Sequence, residues 1–88
     1  MSLQFVGIDP DTETGDSPTV WVDTDKRELL LQGWTATPDE EEHIYSEAGT
    51  APGHALGVPP HETIIRIPAR MMHIIRKACD ELDRSADH

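Results

Sequence analysis

The chain has 88 residues, of which 36% are hydrophobic and only four are aromatic, and its formal net charge is −10. This length suits one small domain with a small apolar core. An acidic excess of this size repels phosphate backbones and argues against direct binding to nucleic acid. Cys79 is the only cysteine, and no apolar run resembles a signal peptide or a membrane span of roughly 20 residues. We therefore expect a cytoplasmic protein without disulfides.

The acidic charge is concentrated in one part of the chain. Residues 1–61 hold 12 acidic residues against two bases, Lys26 and Arg27, whereas residues 62–88 hold five acids and five bases. The excess of negative charge therefore comes entirely from residues 1–61.

Three strands are predicted in the first third of the sequence. Residues 4–8 form an apolar run that ends at Asp9-Pro10, and residues 19–23 alternate with β-branched side chains. The polar segment 24–27 suits a hairpin loop into a third strand over 28–34. Between the first two strands, the turn-forming residues at about 10–18 predict a mobile loop.

A short acidic helix is predicted next. Thr37 and Glu40 have the spacing of a capping box, and Pro38 occupies the first helical position. The helix should run to about Ser46.

The last third of the sequence predicts a loop, a strand and a long helix. The Gly- and Pro-rich residues at about 48–61 predict a second mobile loop, and residues 63–67 a final strand. Residues 68–84 show helical periodicity, and the tail 85–88 should fray. The apolar face of this helix comprises Met71, Ile74, Ile75, Ala78, Cys79 and Leu82. Its opposite, solvated side comprises Arg70, His73, Arg76, Lys77 and Arg84.

These elements predict an α+β fold in one domain over residues 1–88. The sheet should be three- to four-stranded and mainly antiparallel, with the short acidic helix beside it and the long C-terminal helix packed on one face. Because the core is small, homodimerisation is one way for the chain to gain burial.

The Gly7-Ile8-Asp9-Pro10-Asp11 segment raises two metal-binding hypotheses. A strand that ends in Gly-Ile-Asp opens nucleases with a ribonuclease-H-like fold, so Asp9 and Asp11 define an alternative, metal-dependent nuclease fragment. The later strands lack the further carboxylates that two-metal chemistry needs. An EF-hand also fails, because Thr14 and Val20 stand where it requires glycine and glutamate. A solvated turn explains the segment better.

No other pattern in the sequence indicates catalysis. The five histidines and Cys79 lack the spacing of zinc ligands, and the position of Cys79 on the apolar helix face predicts a buried structural thiol. There is no nucleophile elbow and no phosphate-binding loop. We therefore predict no catalytic residue, metal or cofactor, and no enzyme activity.

Candidate binding residues are aromatic or acidic. Trp21 and Trp34 are more often core residues than interface anchors, but either one becomes a hot-spot candidate if it is exposed. Four consecutive acids at the start of the predicted helix suit its dipole and could also meet a basic partner such as the DNA-binding face of a regulator. They are Asp39, Glu40, Glu41 and Glu42.

Four segments carry a resemblance to a known group of proteins. They are Phe5-Val-Gly-Ile-Asp-Pro10, Ser17-Pro-Thr-Val-Trp-Val-Asp23, Gln32-Gly-Trp34 and Arg66-Ile-Pro-Ala-Arg-Met71. With them, the chain outside the 48–61 loop resembles small uncharacterised actinobacterial proteins that occur near helix-turn-helix regulators. The resemblance implies a regulatory partner and transfers no catalytic residue. The predicted function is a non-enzymatic, protein-binding accessory or regulatory module whose partner is another protein such as a basic helix-turn-helix regulator. Besides the nuclease, the alternative is an acidic decoy that mimics DNA.

Overall fold

The computed structural model describes residues 2–11, 18–44, 46 and 58–85. Most of the two predicted loops and of the predicted frayed tail therefore lies outside the described residues. The chain divides into two compact units, one formed by Met1–Trp34 with Ile67–His88 and the other by Thr35–Arg66. Within the described ranges, no helix is both long enough and apolar enough to cross a membrane.

The first unit is organised around a three-stranded antiparallel sheet. Its strands are β1 (Leu3–Ile8), β2 (Thr19–Asp23) and β3 (Glu28–Gln32), and β2 lies between the other two. The predicted hairpin is confirmed, because β2 pairs with β3 without interruption from Asp23 opposite Glu28 to Thr19 opposite Gln32.

The loop of this hairpin is held by its own polar residues. The Asp23 carboxylate accepts hydrogen bonds from the backbone N–H groups of Asp25 and Lys26, at 3.0 and 3.1 Å. Arg27 adopts a left-handed φ of 58°, which closes the turn. Its guanidinium donates to the carbonyl oxygen of Leu82 at 3.2 Å, so the hairpin is tied to the last turns of the C-terminal helix.

The C-terminal helix covers one face of the sheet. Pro68 is extended and precedes a 3-10 turn, Ala69–Met71, that leads into α2 (Met72–Ser85). The buried core consists of Val20, Val22, Met71 and Ala78. Partly buried side chains pack around it from both layers, namely Val6, Leu29, Ile67, Ile74, Ile75 and Leu82. The α+β fold with a helix on one face of an antiparallel sheet is thus confirmed.

Gly7 allows the helix to approach β1 closely. The pairing of β1 with β2 shifts between Phe5 and Gly7, as in a β-bulge. A Cβ atom at position 7 would lie only 2.8 Å from Cγ2 of Ile74 on α2. A strand residue without a side chain is therefore required where the helix crosses it.

The prediction of a buried thiol on α2 is wrong, because Cys79 is exposed. Viewed down the helix, Leu82 lies about 20° from Met71, whereas Cys79 lies about 80° away, at the margin of the apolar stripe. The side chains that pack against the core are those nearer the centre of the stripe.

The second unit contains the short acidic helix and a short strand pair. Strand β4 (Trp34–Thr35) begins with the last residue assigned to the first unit and pairs with β5 (Ile65–Arg66), and α1 spans Pro38–His43. The predicted strand over 28–34 is interrupted at Gly33, since glycine weakens a strand interior. The predicted strand over 63–67 is reduced to two residues and pairs outside the three-stranded sheet.

Candidate functional site

The register of the three strands separates the sheet into two chemically different faces. Val20 and Val22 point toward α2 and are buried. Successive strand residues point to opposite sides, so Trp21 lies on the other face. Residues paired directly across neighbouring strands share a face. Phe5 and Leu30, which are both paired with Trp21, therefore lie beside it and form a row across all three strands.

This second face exposes apolar side chains to solvent. Phe5 is 62% exposed and Leu30 37% exposed, and Trp21 between them is half-buried. Leu3, paired with Asp23 on the same face, is 45% exposed. We call these four residues, Leu3, Phe5, Trp21 and Leu30, the open sheet face. Clustered aromatic and leucine side chains of this kind are typical of a protein-binding surface.

Trp34, the other predicted anchor, is also exposed, at 45%. The guanidinium carbon of Arg70 lies 6.0 Å from the centroid of its ring. This distance is at the limit of a cation–π contact, which holds the cation above the ring face. A tryptophan was expected to be a hot-spot candidate if it is exposed. Trp34 is exposed and Trp21 is partly exposed.

A partly buried ion pair joins the residue after β1 to the 3-10 turn that precedes α2. The Asp9 side chain is only 2% exposed. Arg70 donates from Nε to Oδ1 of Asp9 and from a terminal nitrogen to Oδ2, both at 2.7 Å. The backbone N–H of Asp11 donates to Oδ1 of Asp9 at 2.9 Å, and Oδ2 of Asp11 lies 3.4 Å from Nε of Arg70. The geometry is that of a bidentate, charge-assisted pair.

The electrostatics of this pair follow from its hydrogen bonds. The guanidinium of Arg70 lowers the pKa of Asp9, with a smaller contribution from the Asp11 N–H, although burial opposes the shift. The same hydrogen bonds raise the pKa of Arg70. Because both oxygens of Asp9 already accept hydrogen bonds from Arg70, a metal ion at this carboxylate would have to displace a guanidinium. The arrangement gives Asp9 a structural role, anchoring the helix to the sheet.

Sequence reasoning missed this ion pair and placed Arg70 among the solvated side chains of the helix. Arg70 is exposed as predicted, but it also contacts Asp9, Asp11 and Trp34, which the helical period does not indicate. Asp9 and Arg70 are 61 residues apart in sequence, so no local spacing relates them. The signal in the sequence was limited to an acid directly after the first predicted strand and a base near the start of the predicted C-terminal helix.

The acidic run in α1 is partly occupied by local contacts. The capping box is confirmed: Thr37 Oγ1 accepts from the N–H of Glu40 at 3.2 Å, and Glu40 Oε1 accepts from the N–H of Thr37 at 2.9 Å. Arg66 lies 3.0 Å from the other oxygen of Glu40. The Thr37 N–H is the main cause of the lowered pKa of Glu40. Asp39 and Glu42 are exposed and Glu41 is half-buried.

The predicted binding residues thus fall in two places. Trp21 and Trp34 belong to the unit that contains the sheet, and Asp39, Glu40, Glu41 and Glu42 belong to the other. Across the ranges that the structure describes, no three or more His, Cys, Asp or Glu side chains cluster as metal ligands would.

Comparison with known proteins adds no family. No protein-family model, curated protein or solved structure is significantly similar to the chain. Any functional conclusion must therefore come from the chemistry of the surface.

Proposed function

We propose that this chain is a non-enzymatic accessory module that binds a basic protein through the open sheet face. The observation that carries the proposal is the row of Phe5, Trp21 and Leu30, which remains exposed on the sheet face opposite α2.

The apolar residues would supply most of the binding energy. Protein interfaces concentrate their free energy in a few central aromatic side chains that become fully desolvated on binding. Phe5 and Trp21 lie next to each other on paired strands, and Leu3 and Leu30 extend the apolar area on either side. The β-sheet fixes the backbone that carries these side chains, so little backbone entropy is lost when a partner docks.

The negative charge of the chain indicates that the partner is positively charged. The net charge is −10, and Glu28, which is exposed at the end of β3, shares the open sheet face with Leu30. A partner with basic groups around an apolar anchor would be attracted at long range and then held by desolvated contacts. The DNA-binding surface of a helix-turn-helix regulator would supply the basic groups, in line with the resemblance noted in the sequence.

A capture experiment with matched variants tests the proposal. The wild-type chain, Phe5→Thr and Leu31→Thr are immobilised and exposed to a native lysate. Leu31 is a suitable control because it is 40% exposed on β3 but points to the α2 side of the sheet. Threonine favours strands, so both variants should fold.

We expect wild type and Leu31→Thr to retain the same basic protein, and Phe5→Thr to bind it at least about 30-fold more weakly, the loss typical of a hot spot. Binding should also weaken as salt is added. Equal capture by Phe5→Thr and wild type, or a captured protein that is acidic and insensitive to salt, would contradict the proposal.

A further inference from the structure

Strand β3 is an edge of the three-stranded sheet. In the described part of the chain it pairs with β2 and with no other strand. An edge strand can hydrogen-bond to a strand of another chain, and proteins usually prevent this with proline, lysine, a bulge or a covering element. The two edges of this sheet differ in such protection.

In the described part of the chain, the β1 edge carries two such protections, whereas the β3 edge carries only the charge of Glu28. Strand β1 contains the bulge between Phe5 and Gly7 and is followed by Pro10, which cannot donate a backbone hydrogen bond. Strand β3 reads Glu28-Leu-Leu-Leu-Gln32 and pairs in regular register along its whole length. It contains no proline, glycine or lysine, and all its side chains except Leu29 are exposed.

We infer that β3 pairs with β3 of a second copy of this chain, antiparallel and centred on Leu30, to give a continuous six-stranded sheet. In this register Leu30 lies opposite Leu30 of the second copy. Leu29 lies opposite Leu31, and Glu28 lies opposite Gln32.

The residues of β3 are complementary to themselves in this register. All five residues find a partner in the other strand, and the leucines meet only leucines. The negative charge of Glu28 faces a neutral amide instead of a second carboxylate; a register centred on Glu28 would place two carboxylates together, which is unfavourable.

The same pairing extends the open sheet face. A two-fold axis perpendicular to the sheet keeps both α2 helices on one side and both open faces on the other. The row of Phe5, Trp21 and Leu30 then continues into the matching row of the second copy. Self-pairing leaves that face uncovered, so it can be tested separately from binding of another protein.

Charge gives the two interactions opposite salt dependence. Each copy carries −10, so long-range repulsion opposes self-pairing and is screened by salt. The dimer should therefore become tighter as salt is added, whereas docking of a basic partner should become weaker. This contrast distinguishes failure of one proposal from failure of the other.

The register is tested by sedimentation equilibrium of the full chain with substitutions at its two polar ends. Gln32→Glu places like charges opposite each other twice per dimer, and Gln32→Lys places opposite charges there. Cross-strand charge pairs contribute about 0.2–1 kcal/mol each, so the dimer dissociation constant should rise roughly 2- to 30-fold for Gln32→Glu and fall by a similar factor for Gln32→Lys. Glu28→Lys combined with Gln32→Glu should restore tight pairing, and Phe5→Thr should leave it unchanged.

A crosslinking experiment tests the same register by distance. In a Cys79→Ser background, Leu30→Cys should form an intermolecular disulfide on mild oxidation, because position 30 faces itself. Leu31→Cys faces Leu29 instead and should crosslink much more slowly. Three outcomes would each overturn the inference. The chain could stay monomeric at every protein and salt concentration, the dimer affinity could be independent of the charge at position 32, or positions 30 and 31 could crosslink equally.

Discussion

Close packing of α2 against β1 makes the effect of Gly7→Ala predictable in sign and size. Alanine in place of glycine normally stabilises a strand by about 0.5–1 kcal/mol, because it restricts the unfolded chain. Here the new methyl group would lie 2.8 Å from Cγ2 of Ile74 and 3.2 Å from two further atoms of that side chain. Overpacking of this kind costs about 1–3 kcal/mol. The steric effect is larger, so Gly7→Ala should destabilise the fold by a net amount of about 1 kcal/mol.

The cause can be isolated with Ile74→Ala, which removes the atoms that collide. Alone, this change should cost about 2 kcal/mol, the low end for a core truncation, because Ile74 is only partly buried. In that background Gly7→Ala should become neutral or stabilising. The coupling between the two positions should therefore be about 1–3 kcal/mol. Ile74→Leu, which moves a methyl group away from the crowded β-carbon, serves as a milder second background.

Urea unfolding, followed by circular dichroism, measures the four free energies of the cycle. The slope of the free energy against urea should stay constant, which shows that only stability has changed. If Gly7→Ala stabilised the wild type, or cost the same in both backgrounds, the helix would not cross the strand at Gly7 and the described packing would be wrong.

Three further outcomes are expected. Met71→Ala truncates a fully buried side chain and should cost about 2–5 kcal/mol in urea unfolding. The control Arg76→Ala, at an exposed position of α2, should have little effect. Thr37→Ala removes half of the capping box and should destabilise α1 by about 1 kcal/mol, seen as faster amide exchange in that helix and unchanged exchange in β2. Hydrogen bonds from Arg70 lower the pKa of Asp9 below its ordinary value, so the ionised carboxylate stabilises the fold at neutral pH, and this contribution is lost as pH falls through the lowered pKa. Asp9→Asn should therefore be less stable than wild type at neutral pH, and the difference should shrink on acidification; a difference independent of pH would refute the ion pair.

The sequence predicted the elements that depend on local patterns. Alternation in 19–23 and the polar loop after it sufficed for the hairpin, and the spacing of Thr37, Pro38 and Glu40 sufficed for the capped helix. The period of the C-terminal segment indicated which side of α2 would be buried. In each case the residues that determine the structure are neighbours along the chain or on one helix face.

Features that depend on long-range geometry could not be predicted. The pairing of Arg70 with Asp9 requires the start of the helix to meet the end of β1, which only the assembled fold reveals. The exposure of Cys79 depends on which part of α2 contacts the sheet, and the open sheet face depends on which strands lie beside Trp21. The sequence identified Trp21 and Trp34 as candidates but gave no sign that Phe5 and Leu30 join Trp21.

Solvent paramagnetic relaxation enhancement, measured by NMR on the side chains of the wild-type chain, tests the central claim most directly. α2 covers one face of the sheet, and the other face exposes Phe5 and Leu30. We therefore expect strong enhancement at Phe5 and Leu30 and very little at Val20, Val22 and Met71. Strong enhancement at Val20 and Val22 would contradict the packing of the helix. In the monomeric chain, protection of Phe5 and Leu30 as complete as that of Val20 and Val22 would contradict the proposed binding face.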